Sequence, residues 1–271
     1  QGREEILKVH ARGKPFAPEV SLKTVAKTTA GFTGADLENL LNESAILAVR
    51  SGLKFITMKE IEESIAKVSM GPEKRSRILT EEDKKHTAYH ESGHAVATYF
   101  CKTQDKVHEI SIIPRGRAGG YTLSLPEKDE SCTFRNKMLE RIVVLLGGIA
   151  AEKLILGDIS TGASNDLQRA TSIARSMVTK FGMSDVLGPI VYNSEDDEVF
   201  IGRDMGHVKS YSETTATKID EEISKIITMC FSKTEKILSD NIEKLHQISE
   251  FLINNEKMNE EQFYGMMNSA E

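Results

Sequence analysis

The pentapeptide His90-Glu91-Ser92-Gly93-His94 carries two imidazoles four residues apart, with a carboxylate beside the first. On an α-helix that spacing stacks both rings on one face, one turn apart. Nitrogens so placed can share one Zn²⁺ at about 2.0–2.1 Å each. Glu91 is placed to hold an attacking water instead of the metal and to take its proton during attack on a carbonyl. The H-E-x-x-H pattern is the signature of zincin peptidases, yet so short a pattern also recurs by chance. The plain alternative is a surface helix bearing two solvated histidines.

The chemistry therefore needs a helix under it. Thr80 and Asp83 have the spacing of a capping box, and no proline follows for more than twenty residues. Tyr89, Ala97 and Phe100 supply apolar surface, and the pattern predicts a helix from about Glu81 to Lys102. A catalytic zinc usually takes three protein ligands. The candidates for the third are His86, His108, Glu152, Asp158 and Asp166. His86 shares the helix face, but its Cα lies about 9 Å along the axis from the midpoint of the pair. Asp166 opens a helix whose face continues through Ala170, Ile173 and Met177, so its carboxylate points inward with the apolar stripe. A buried carboxylate calls for a charge partner, which a metal would supply. An acid in a helix's first turn is equally explained by the helix dipole, and both readings stand at this point. Glu152 lies inside an otherwise apolar helix and could be a ligand, a partner orienting a histidine, or a surface residue beside Lys153.

Around these residues the chain has the size of two domains: 271 residues, 39% hydrophobic and 28% charged, the balance of a soluble globular protein. A net charge of −6 offers no general attraction to nucleic acid. The three cysteines, Cys101, Cys132 and Cys230, are widely spaced and fit a reducing compartment with buried or idle thiols. No apolar run reaches the length of a membrane span, no signal peptide opens the chain, and a start at Gln1 reads as a piece of a longer protein.

Residues 1–70 read as a small helical domain. Helices are expected at Gly2 to Arg12, after Ser21 through Thr29, after the Thr33/Asp36 box, and after the Thr57/Glu60 box. Residues 71–77, with Gly71-Pro72 and a charged run, read as a linker. After the histidine helix, Val107 to Ile113 and Tyr121 to Leu125, joined through Pro114 and several glycines, read as a hairpin or a pair of short strands. Helices are expected again at about Phe134 to Leu156, Asp166 to Phe181, Lys209 to Leu238, Ile242 to Ile253 and Glu260 to Met267. Gly188 to Arg203 reads as irregular, with Glu195-Asp196-Asp197-Glu198 a solvated acidic loop.

Four segments in this order closely resemble the membrane-anchored, ATP-dependent zinc proteases of the FtsH type, of the AAA+ class. They are Gly31-Phe32-Thr33-Gly34-Ala35-Asp36-Leu37, Tyr89 with the pentapeptide, Ile113-Pro114-Arg115-Gly116-Arg117, and Ser160 through Asp166. The resemblance covers essentially the whole chain. It implies a mainly α fold, with an AAA+ helical lid over residues 1–70 and a largely helical zincin-type peptidase with a small β element over 78–271. It also implies one Zn²⁺ per chain, held by His90, His94 and Asp166, with Glu91 as general base and Glu152 behind the ligands. The strand Gly119, Gly120, Tyr121, Thr122 and Leu123 could receive an extended substrate by strand addition.

Expected partners are unfolded or unstable protein substrates, membrane proteins among them, and further copies in a homo-oligomer, a hexamer by resemblance. ATP and Mg²⁺ belong to the full-length parent, since no G-x-x-x-x-G-K-[ST] stretch occurs here. The parent is expected at the cytoplasmic face of a cell membrane, in a bacterium, held there by segments outside this chain. Two departures stand out: Ile149 replaces a frequent family arginine, and Ser92 a frequent alanine. The competing expectation is a non-catalytic helical module for oligomerisation or partner binding, against which the intact Glu91 speaks.

Overall fold

A computed structural model of the chain describes residues 1–74, 80–116, 118–126, 132–192 and 211–269. The fold is mainly α, with one small antiparallel sheet. The acidic run 195–198, Arg117, part of the linker and the expected start of the helix at Lys209 lie outside the described residues. Packing divides the chain into two compact units that do not follow chain order. The first comprises Gln1–Glu91, Asp105–Ser131 and His246–Glu271; the second comprises Ser92–Gln104 and Cys132–Leu245.

The first unit opens with α1 (Gly2–His10), α2 (Leu22–Thr28), α3 (Gly34–Arg50) and α4 (Met58–Met70). The starts of α2, α3 and α4 follow the caps read from sequence. Ser21 accepts from the Thr24 N–H, and Thr33 and Asp36 exchange both bonds of a capping box. Glu60 accepts from the Thr57 N–H at 3.1 Å. Leu37, Leu40, Leu41, Ile61 and Ile65 recur at helical spacing and are buried together with Leu7 and Val25. Each such side chain contributes about 1.5–3 kcal/mol by leaving water. Helix α5 (Glu81–Phe100) starts at a third box, where the Asp83 N–H donates to Thr80 at 3.1 Å and Asp83 accepts from the Thr80 N–H at 3.3 Å.

The expected hairpin forms β1 (Val107–Ser111) and β2 (Tyr121–Ser124), paired antiparallel with a bulge near Val107. A third strand, β3 (Lys257–Asn259), pairs with the other side of β1, giving the order β2-β1-β3. Three residues, Lys-Met-Asn, carry no periodicity that could announce a strand; only the chain's return beside β1 makes one. α10 (Ile242–Asn255) precedes β3 and α11 (Glu260–Asn268) follows it.

The second unit contains α6 (Arg135–Leu145), α7 (Gly147–Leu156), α8 (Ser164–Thr179) and α9 (Glu213–Asp240). Its core joins Ala97, Ile142, Leu146, Ala170, Ala174, Met177, Ile223 and Ile226, with the thiols of Cys101 and Cys230. Burial pushes those thiols up to about 12 and about 11, so they are inert at neutral pH, whereas Cys132 is exposed. Ile149 is buried in the same core.

One expectation needs correction. Residues 134–156 are two helices, not one, because the helix breaks at Leu146. The apolar period continues through the break, and only the Gly147-Gly148 pair marks it in the sequence. A neighbouring helix lies close at the break. A Cβ on Gly147 would stand 2.6 Å from the Gly93 carbonyl oxygen, and one on Gly93 would stand 2.3 Å from the Gly147 carbonyl oxygen. The start of α7 thus touches α5 backbone to backbone, at a distance only two glycines allow.

Candidate metal centre

Helix α5 places His90 and His94 one turn apart, and both are buried, at 8% exposure each. The break before α7 has a consequence for His94. Its Nδ1 lies 2.7 Å from the carbonyl oxygen of Val144. Val144 sits in the last turn of α6, and its carbonyl oxygen, which also accepts a backbone N–H of the cap, has a second lone pair for the imidazole. A carbonyl only accepts, so Nδ1 carries the proton and Nε2 is the nitrogen that would present a lone pair to a metal. Sequence reasoning missed Val144, because a backbone acceptor has no residue-type signal.

Asp166 lies in the first turn of α8, as expected, and its Oδ2 stands 3.5 Å from Nε2 of His94. Two atoms at about 2.0–2.1 Å from one tetrahedral zinc stand about 3.3 Å apart. One ligand atom from each of His90, His94 and Asp166 lies within 4.8 Å of the others, and these are the residues among those described that could hold an ion together. The donor set of two imidazoles and one carboxylate suits a catalytic site that leaves a coordination position open.

The remaining candidates fall elsewhere. The His86 ring stacks on that of His90 at 6.3 Å between centroids. His108 lies 3.4 Å from Glu260, and Asp158 accepts from the Ile159 N–H. Glu152 is completely buried; its carboxylate accepts from the Ser160 N–H at 2.7 Å and from the Ser160 hydroxyl at 3.2 Å. Ser160 in turn caps the 3₁₀ turn Thr161–Ala163 that leads into α8. Glu152 therefore holds the segment that delivers Asp166.

Glu91 is 6% exposed, and its Oε2 accepts from the Thr122 hydroxyl at 2.9 Å. Strand β2 can come this close because residue 120 is glycine: a Cβ there would stand 2.7 Å from Cγ2 of Thr87 and 3.0 Å from Cγ of Glu91. Gly119 and Leu123 flank this stretch, and among the described residues β2 pairs with β1 alone. Tyr121 is buried; its hydroxyl donates to Glu109 and accepts from Nε of Arg115. Tyr89, beside the first histidine, meets Nδ1 of His246 at 2.9 Å. Ser92 is fully buried, and its hydroxyl has no hydrogen-bond partner among the described residues.

Residues 77–266 match the profile of Peptidase family M41, and residues 19–63 match an AAA+ lid domain. An ATP-dependent zinc metalloprotease FtsH 1 of Thermoanaerobacter sp. (strain X514) is 55% identical over 271 residues, all of this chain and 44% of its own length. An ATP-dependent zinc metalloprotease FtsH of Caldicellulosiruptor bescii is 56% identical over 263 residues, 97% of this chain and 43% of its own. The FtsH of Thermotoga maritima is 48% identical over 256 residues, 94% of this chain and 42% of its own. The chain thus spans less than half the length of these relatives. With a family profile matched across most of its length, the chain belongs to peptidase family M41.

Proposed function

We propose that this chain is the zinc-dependent endopeptidase part of an ATP-dependent AAA+ protease. The observation that carries the reading is the convergence of His90, His94 and Asp166, with Glu91 next to the first of them. These three residues would hold the zinc. Zinc bound there would supply Lewis acidity to the scissile carbonyl and acidify the attacking water. Glu91 accepts that water's proton on its carboxylate and passes it to the leaving amine nitrogen. Val144 keeps His94 in the tautomer that presents Nε2, and Glu152 keeps the approach to Asp166 in place. The edge of β2 over Gly119, Gly120, Tyr121, Thr122 and Leu123 receives substrate as an added strand.

In this reading residues 1–70 form the lid of the ATPase module, 71–77 a linker and 78–271 the peptidase domain, supported by the extents of the two profile matches. Substrates are unfolded or unstable proteins, and the working form is a homo-oligomer, a hexamer. The longer parent sits at the cytoplasmic face of a bacterial membrane. Within this chain, among the described residues, no helix is long and apolar enough to cross one.

The test is a metal-depleted preparation titrated with zinc in competition with a chelator, alongside cleavage of a flexible casein-type peptide. One zinc per chain, cleavage restored by zinc and no stimulation by ATP are expected. Activity that survives complete removal of metal would overturn the assignment.

A further inference from the structure

We propose that Thr122 is a positioning residue for Glu91: its hydroxyl fixes one carboxylate oxygen of the general base so that the other is presented to the attacking water. The inference rests on the metallopeptidase reading above. The Thr122 hydroxyl has one proton and faces two acceptors on the same residue, Oε2 of Glu91 at 2.9 Å and the Glu91 carbonyl oxygen at 3.1 Å. The charged oxygen is the stronger acceptor. A glutamate side chain has three rotatable bonds, and a base must sit within hydrogen-bond reach of the proton it takes. A hydroxyl delivered from a separate element removes the last of that freedom.

The delivering element is itself held. In the antiparallel register Thr122 pairs with Ile110 and Tyr121 with Ser111. Tyr121 is locked by Glu109 and Arg115. The Arg115 side chain is fully buried and bonds Glu63 at 2.6 Å and Glu73 at 2.9 Å. Gly120, one residue before, lets the strand approach α5 closely enough for the hydroxyl to reach. A β2 strand serving only to receive substrate through its backbone would have no use for a hydroxyl at this position. Valine would fill the same space.

The experiment compares Thr122→Val and Thr122→Ser with the parent, each zinc-loaded, on one flexible peptide. Zinc affinity is read by chelator competition, and the Glu91 side chain is located in a crystal structure of Thr122→Val. For Thr122→Val, kcat should fall about tenfold, as expected for losing a hydrogen bond to a charged group. KM and zinc affinity should stay within about twofold, since the ligands are untouched and strand addition uses the β2 backbone, not this side chain. Thr122→Ser should restore most of kcat, and Glu91 should leave its parental rotamer in the valine variant. An unchanged kcat with valine would overturn the proposal. So would a loss appearing in KM, a loss tracking zinc content or melting temperature, or a serine variant as poor as valine. Failure of the parent protein itself to cleave with zinc bound would instead bring down the metallopeptidase reading, and this inference with it.

Discussion

The segment that carries His90 and His94 and the segment that carries Asp166 reach the same point by different means. The histidines ride on α5, whose own hydrogen-bond ladder spaces them. Nothing outside the helix is needed to bring the two rings to one face. The aspartate arrives through a turn from Ser160 to Ala163, and that turn is pinned by a completely buried glutamate from another helix. The first arrangement is local and robust to change elsewhere. The second is only as good as the contact between Glu152 and Ser160. Metal sites that combine both kinds of support expose their tertiary half to mutation far more than their helical half.

The sharpest separation of chemistry from both supports is Glu91→Gln. Hydrolysis should fall by about 10²–10⁴-fold, the range of a positioned general base, while zinc stays bound because no ligand is touched. Metal analysis beside a turnover assay reads both, and zinc loss would make Glu91 part of the support instead.

Next in size is Asp166→Ala, which on the proposed ligand set removes a charge and a metal bond. Zinc affinity should drop by more than the roughly 10–100-fold expected for Glu152→Ala. The second variant should also lose about 1–3 kcal/mol of stability, because it takes the acceptor from the half-buried Ser160 N–H. Chelator competition and denaturant melts give the two numbers. The reverse ranking for zinc would exchange the roles of the two carboxylates.

Gly93→Ala tests whether the helical half is as independent as it looks. The added methyl would stand 2.3 Å from the Gly147 carbonyl oxygen and 2.7 Å from Cβ of Ala151. Separation of the helices should cost about 1–3 kcal/mol, and zinc should weaken as Val144 shifts from His94. Unchanged zinc affinity would show that the Val144 contact is dispensable.

Ser92→Ala should have the smallest effect. It removes a buried hydroxyl that has no partner among the described residues, so stability should hold or rise by up to about 1 kcal/mol, with activity unchanged. A clear loss in a thermal melt would reveal a bond to that hydroxyl.

Legibility in the sequence follows the same division. The helical starts at Ser21, Thr33 and Thr80 were readable because each cap is a contact between residues three apart. The β1–β2 hairpin was readable from β-branched and alternating residues. The break at Leu146 was legible only in the Gly147-Gly148 pair, because the apolar period runs unbroken across it. β3 was not, because a three-residue strand exists only by pairing. Thr122 could be placed on a strand, but no spacing tied it to Glu91, thirty-one positions earlier.

What the sequence by itself determined is whatever the helical period and the chemistry of neighbouring residues enforce: two imidazoles on one face, a carboxylate beside the first, capped helices around a core. The tertiary structure alone decided the rest. It set which nitrogen of His94 faces outward, through the Val144 carbonyl, and how Asp166 comes within 3.5 Å of that nitrogen. It also set which oxygen of Glu91 is held. Short-range order is written in a repeat that a chain carries along its length. Contacts between distant segments depend on where backbone groups and small residues come to lie after packing, and those leave no period to read.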